Sequence, residues 1–582
     1  MLLHATRQLN AGADLMDDDW ELIDLVDLNY QAAELAARKT AFFSSMEYLQ
    51  VGLDHLGGIN AVEKDYERWL RFHLALARMQ FGCGLLDEFW ATSDSVIRHA
   101  KTLRDMTRIY RKRVLCLMQK ELLDEAMELL FKVFEIMKEP MPKRFVLWHV
   151  FQEYRNARRF LKSTSDEGLL SLPPCYDEHL EMLLDFQQFF AETAFLTGKF
   201  GYVMLVAFRY LNLVAQKGNY PRSFFAYQLY ACYFKPQMGD FAGSNQYGAL
   251  ANKLSAPQRT SVPGFAARSE EMFLGYVHSW QSAPVRDAVV PAHDAFRRLW
   301  ASGFIDTALL DASSLLQLLF AASEPIHRIV EECDRYSEAF VDYQQMGHWY
   351  INSSQHQAMQ NFQGRADNPA TLSGDVINAD KCLETWNKAP NLPALYNFQF
   401  FSMVVGYHFG DLQNAKRNIK AMRGDLFEDG SCHLVPLRPF YTGLVYLALF
   451  RETGKGKYRG RALQSLKVLQ GWVNKGALNC VHLSQLIEAE DMSQRRRISI
   501  ETTINAYDRA IQSTSQLQLV HHQALANELA ATYLLSLQQT SRAILYAKAS
   551  MELYAKWGAT AKVHALESRF HSILLANNTA PT

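Results

Sequence analysis

The chain has no CxxC pair, few prolines, no excess of either charge and no apolar run long enough to cross a bilayer. Strict apolar–polar alternation is nearly absent as well. Each absence removes a class of protein. The eight cysteines, Cys83, Cys116, Cys175, Cys232, Cys333, Cys382, Cys432 and Cys480, stand singly in apolar helical text. That excludes a zinc ribbon or a dithiol redox motif and predicts buried free thiols in a reducing compartment. Lys and Arg number 60 against 61 Asp and Glu, a net charge of −1. No global basic excess points to nucleic acid or to an anionic membrane. The longest apolar runs, such as Gly201 to Phe208, are too short for a membrane span. The opening "MLLHATRQLNAGADL" lacks the apolar core of a signal peptide. The expectation is a soluble, cytoplasmic protein with no nucleic-acid partner, no membrane span and no cofactor.

What is present is helix. At 582 residues a single compact core is excluded, because such cores stop growing well below that length. Apolar residues recur at helical spacing almost everywhere. In "ALANELAATYLLSLQQTSRAILYAKASMELYAKWGATAKVHALES" (Ala524 to Ser568), Leu525, Leu529, Tyr533 and Leu537 form one stripe. Ala543, Ala547, Ser550, Tyr554 and Trp557 form the next. Thr540 is the expected N-cap between them, and Gly558 the left-handed C-cap. A third helix is expected from Ala559 to Leu575. Upstream, "RIYRKRVLCLMQKELLDEAMELLFKVFEIMKEPMP" (Arg108 to Pro142) repeats the unit, with Ala126, Leu130 and Val133 inward and Pro140 beyond the end. "FGDLQNAKRNIKAM" repeats it at Ala415, Ile419 and Met422. Turns are expected at Phe81 to Phe89, Thr197 to Phe200, Met238 to Phe241, Ser302 to Asp306 and Phe409 to Leu412.

The predicted fold is therefore all-α, a superhelical array of tetratricopeptide-like hairpins, an α-solenoid. At about 34 residues per unit the chain has room for roughly fifteen or more. Breaks near Lys162 to His179, Ser255 to Phe265 and Ser353 to Pro393 suggest an N-terminal block over 1–165 and a middle block over 175–352. An irregular polar connection over 353–393 and a C-terminal block over 394–576 would follow.

Few residues point to chemistry. "TGKGKYRGRA" (Thr453 to Ala462) has the wrong spacing for a phosphate loop and reads as a basic inter-helix loop. Adjacent His521 and His522 point about 100° apart on a helix and do not chelate one ion well. Packing is their expected role, as it is for the pairs Cys432–His433 and Cys480–His482. "YPRSFFAYQLYACYF" (Tyr220 to Phe234) reads as core. The acids Asp17, Asp18 and Asp19 in "DDDWE" suit a first helical turn, or a contact for a basic partner. In "SQRRRIS", Arg495, Arg496 and Arg497 read as a solvated turn or a partner contact. The Arg-Arg-Ile-Ser order also suits a basophilic kinase, with Ser499 as the acceptor at a helix start.

Several stretches together resemble the helical-repeat region of large signalling proteins that carry a Ser/Thr-kinase-like domain, a STAND-type (AAA-related) NTPase, and often GAF and histidine-kinase or cyclase domains. The likeness is most specific at "YDRAI" (Tyr507 to Ile511), "HHQALANELAATYL" (His521 to Leu534) and "AILYAKASMELYAKWGATAKVHALE" (Ala543 to Glu567), where Trp557, Gly558, Ala559, Lys562 and Val563 fit. "LNAGADL" (Leu9 to Leu15), "DLNYQAAELAARKTAFFSSMEYLQVGL" (Asp27 to Leu53) and "YRKRVLCLMQKELLDEAMELL" (Tyr110 to Leu130) resemble the start of that array. "KGNYPRSFFAYQLYA" and "MQNFQGRADNPATLSGD" fit more loosely. No G-x-x-x-x-G-K-[ST] loop and no kinase glycine loop with its HRD and DFG partners occur, so no catalytic residue carries over. The resemblance implies a non-enzymatic interaction or sensing arm in signal transduction, with an NTPase or kinase module as partner. It also allows the arm of a larger or split ATPase or sensor kinase.

Overall fold

A computed structural model describes all residues except 17, 40, 145, 235–237, 279–282, 344, 389–390, 423–432 and 579–582. The fold is all-α, an array of tetratricopeptide-like hairpins of the α-solenoid class, 81% helical. No strand occurs among the described residues, and the one β-bridge pairs Pro174 with Asn219.

The chain divides into two compact units, one of residues 1–143 with 176–193, the other of 144–175 with 194–582.

The first unit is built from α1 (Leu2–Ala11), α2 (Asp19–Arg38), α3 (Phe42–Leu56), α4 (Tyr66–Gly82), α5 (Leu86–His99), α6 (Leu103–Gln119) and α7 (Leu123–Ile136). Pairs α2–α3, α4–α5 and α6–α7 are hairpins, and α3 on α4 and α5 on α6 stack them. Local sequence sets the starts. Asp65 accepts from the Arg68 backbone N–H at 3.1 Å to begin α4. A capping box begins α6, with Asp105 N–H to Thr102 Oγ1 and Thr102 N–H to Asp105 Oδ2, both 3.1 Å. Ala126, Leu130 and Val133 are fully buried, as the repeat pattern requires.

In the second unit α8 (Val146–Ser163) packs on the helix Phe200–Lys217. At the C-terminal end Ala543, Ala547, Ser550, Tyr554 and Trp557 are all buried. Gly558 ends that helix in the left-handed region at φ +96°. Two details differ from expectation. Thr540 is the first helical residue and Gln539 holds the cap position. Leu537 lies past the end of its helix at Ser536 and is exposed. The five expected turns each carry a left-handed glycine, Gly84, Gly198, Gly239, Gly303 and Gly410. Among the described cysteines Cys83 and Cys175 are only half-buried, while the rest are buried as expected. Cys432 lies outside the described residues.

The largest departure is at 353–393. Residues 353–363 complete the buried helix Met346–Gln363, and Ala379–Lys388 forms another helix. Residues 364–378 between these helices are irregular, and the polar side chains brace them. Gln355 donates to the Leu316 carbonyl at 2.6 Å, and Asn361 donates to the carbonyls of Pro369 and Thr371 at 3.1 and 2.7 Å.

The break at 162–179 is pinned by the β-bridge, where Cys175 N–H meets Asn219 O at 2.8 Å and Asn219 N–H meets Pro173 O at 2.9 Å. Gly218 makes this possible. Its φ is +100°, and a Cβ built there would overlap the Pro173 carbonyl oxygen. Gly218→Ala is expected to cost about 1–3 kcal/mol through backbone strain and overpacking. A urea melt reads this, and an unchanged midpoint would refute it.

Candidate functional site

Three helices of the first unit turn polar stripes toward one another. On α2 the stripe is Asp27, Tyr30 and Glu34. On α4 it is Arg68, Arg71 and Arg78, with Leu74 and Ala75 between. On α6 it is Arg108, Arg111, Lys112 and Leu115. Spacings of three, four and seven put each set on one helical face. The opposite face of α6 carries Ile109, Tyr110, Val114 and Leu117 into the core. Apart from Glu34, these residues line a groove of about 850 Å³, within the range of ligand sites.

The α4 cations are matched. Arg68 reaches Asp27 at 2.8 Å and Asp65 at 2.6 Å. Arg71 also pairs with Asp27, and its guanidinium lies 4.3 Å from the Tyr30 ring centre. Arg78 pairs with Glu34. The hydrogen bond from Arg68 holds the Asp27 carboxyl below its usual range, against the opposing effect of burial. These pairs fix the groove wall.

The α6 cations are not matched. Among the described residues Arg108, Arg111 and Lys112 have no carboxylate partner, although Arg111 lies 5.7 Å from the Phe189 ring centre. Lys112 is half-buried. Burial first, then the charges of Arg78, Arg111 and Arg108, push its amine down to about 8. Glu67 also lines the groove and offsets one charge at most. Three cations on one face with no carboxylate partner among the described residues make the potential there positive.

The residues singled out in the sequence fall elsewhere. Asp18 and Asp19 are exposed at the start of α2, where Trp20 Nε1 donates to Asp18 at 3.2 Å. Asp17 lies outside the described residues. In the second unit Arg495 pairs with buried Asp491, while Arg496 and Arg497 are exposed. Ser499 is the N-cap of the helix Ile500–Gln516, its Oγ accepting from Thr502 N–H at 3.1 Å. His521, His522 and His482 are core residues, with His482 Nε2 3.0 Å from His522 Nδ1. Among the described residues no group of three or more His, Cys, Asp or Glu is placed to hold a metal ion. No helix there is long and apolar enough to cross a membrane. The groove was missed because Asp27 and Glu34, two of its matching acids, lie 41 to 44 residues from their arginine partners in sequence. The signal available was Arg108, Arg111 and Lys112 on one helical face, with no acid between Met106 and Gln119.

No family model matches the chain, and no curated protein matches it. Among the solved structures similar to the chain are two that compare with it only in length. The crystal structure of yeast Tom70 aligns at 11% identity over 96% of this chain and 99% of that one, with a TM-score of 0.21. A circular tandem repeat protein with novel repeat topology and enhanced subunit contact surfaces aligns at 11% identity over 99% and 97%, with a TM-score of 0.12. Scores this low carry no argument about partner or activity, and the helical-repeat class rests on the hairpins themselves.

Proposed function

We propose that the chain is a non-enzymatic interaction arm whose groove between α2, α4 and α6 takes an acidic segment of a protein partner. The observation that carries this is Lys112, a half-buried amine with no carboxylate beside it and two arginines, Arg108 and Arg111, on the same face. A bound carboxylate series would supply the missing charge. The leucines and Tyr30 in the groove give an extended peptide an apolar floor. The sequence likeness supports a setting in cytoplasmic signal transduction, with an NTPase or kinase module as the source of the segment.

The test is anisotropy of a labelled glutamate-rich peptide with the full chain at low salt. Binding is expected, weakening as salt screens the groove. Arg108→Glu with Arg111→Glu, both exposed, should weaken it on the order of tenfold or more, about 1.4 kcal/mol per decade. Equal binding by the double variant, or tighter binding of a single-stranded oligonucleotide, would overturn the reading.

A further inference from the structure

Helix α8 has two unlike sides. Its inward side is ordinary packing. Ala157 and Leu161 are buried, and Tyr154 meets Phe208 at 5.3 Å between ring centres. The helix's one acid, Glu153, is turned inward too, accepting from Asn212 at 2.6 Å and pairing with Arg209 at 3.4 Å.

The outward side is different. Leu147, Trp148 and Phe151 are 76%, 57% and 57% exposed. Arg155, Arg158, Arg159 and Lys162 are exposed and have no carboxylate partner among the described residues. At 100° per residue all seven fall within a sector of about 120°. No other residue of the helix falls there. The sector is thus purely apolar over its first turns and purely cationic over its last.

We propose that this face of α8 docks on an anionic lipid bilayer surface. A surface of this kind reads only sign and apolarity, which is all the sector offers. It carries no hydrogen-bond acceptor and no acid to set a register with a folded partner. Trp148, Leu147 and Phe151 suit the boundary between headgroups and acyl chains, and the four cations suit anionic headgroups beside it. The near-zero net charge of the whole chain conceals this sector, because the compensating acids are on other elements. The inference is independent of the groove reading, which concerns a different unit.

Co-sedimentation of the full chain with vesicles tests it. Binding is expected to phosphatidylserine-containing phosphatidylcholine vesicles at low salt, falling as salt rises. It is not expected to pure phosphatidylcholine. Arg155→Glu with Arg158→Glu, and separately Leu147→Asp with Trp148→Asp, should each reduce it on the order of tenfold. All four side chains are exposed, so the fold is retained, and circular dichroism checks this. The groove variant Arg108→Glu with Arg111→Glu should sediment as the unaltered chain does. No binding to anionic vesicles, or binding lost in the groove variant and kept in both α8 variants, overturns the proposal.

Discussion

Acidification from pH 7 towards 5 is expected to unfold the second unit steeply. His408, His433, His482, His521 and His522 are all buried there, none more than 5% exposed. Burial pushes His433, His482 and His521 down to about 3, and His408 and His522 well below the ordinary value. Neighbouring charge adds to this, since Lys562 disfavours a proton on His408, and His521, His482 and His408 disfavour one on His522. The groups facing them include Tyr441, 3.4 Å from His408 Nε2, and Tyr554, 3.5 Å from His408 Nδ1, with Tyr554 also donating to Glu528 at 3.1 Å. Among the described residues His482 Nδ1, His521 Nε2 and His522 Nε2 have no hydrogen-bond partner, so no acceptor there rewards protonation of these three.

In the unfolded chain each imidazole titrates near its ordinary value, about 6.5. Below that pH the unfolded state binds protons that the folded state refuses. The stability these residues hold is therefore present above about pH 6.5 and is lost as pH falls, by about 1.4 kcal/mol per pH unit for each. Five together give about 7 kcal/mol per unit, against a typical domain stability of roughly 5–15 kcal/mol. Urea melts between pH 5 and 8 measure the slope. His482→Asn should lower it by about one proton's worth, even if it also lowers the midpoint at pH 8. A midpoint that stays flat from pH 8 to 5 would refute the account.

The stripe from Ala543 to Trp557 was legible in the sequence because helix period and small-residue packing are local. Its stop at Gly558 was legible because only a left-handed residue ends a helix that way. The polar run after Ser353 was not. Its Asn and Gln residues look solvated until their distant partners, such as Leu316 and Thr371, are known. The groove failed for the same reason. Arg68, Arg71 and Arg78 lose their charge to Asp27, Asp65 and Glu34, and that subtraction leaves Arg108, Arg111 and Lys112 as the unmatched set. Arg113 belongs to the same basic run yet turns away, lying 4.6 Å from the Trp90 ring centre and pairing with Asp94. Charge counted along a helix cannot tell these roles apart, whereas charge paired across helices can.

Glu528→Ala is expected to be the most damaging single substitution near the C-terminus. Glu528 and Lys562 are 5% and 4% exposed and meet at 2.8 Å. Tyr554 donates to the other Glu528 oxygen at 3.1 Å, and Arg569 approaches at 3.5 Å. Lys562 also donates to the His408 carbonyl at 2.6 Å and lies 5.8 Å from the Tyr554 ring centre, and neither contact carries a compensating charge. Burial pulls its amine below the ordinary value, and Glu528 is what opposes that pull. Removing the carboxylate strands a buried cation, at a cost of about 3–5 kcal/mol. Lys562→Met should cost less, because Glu528 keeps Tyr554 and Arg569. The deficit of Glu528→Ala should also shrink as pH rises from 7 to 10. With its carboxylate gone, Lys562 sheds its proton in the folded state at a lower pH than in the unfolded chain. The unfolded state then binds more protons, and stability climbs with pH. Glu528→Leu combined with Lys562→Met should recover most of the loss, since an apolar pair of similar volume replaces a desolvated ion pair. Chemical denaturation of the four chains at pH 7 and 9.5 separates these outcomes. A loss below about 1 kcal/mol for Glu528→Ala, or a double variant no better than it, would show that the pair is not holding these helices together.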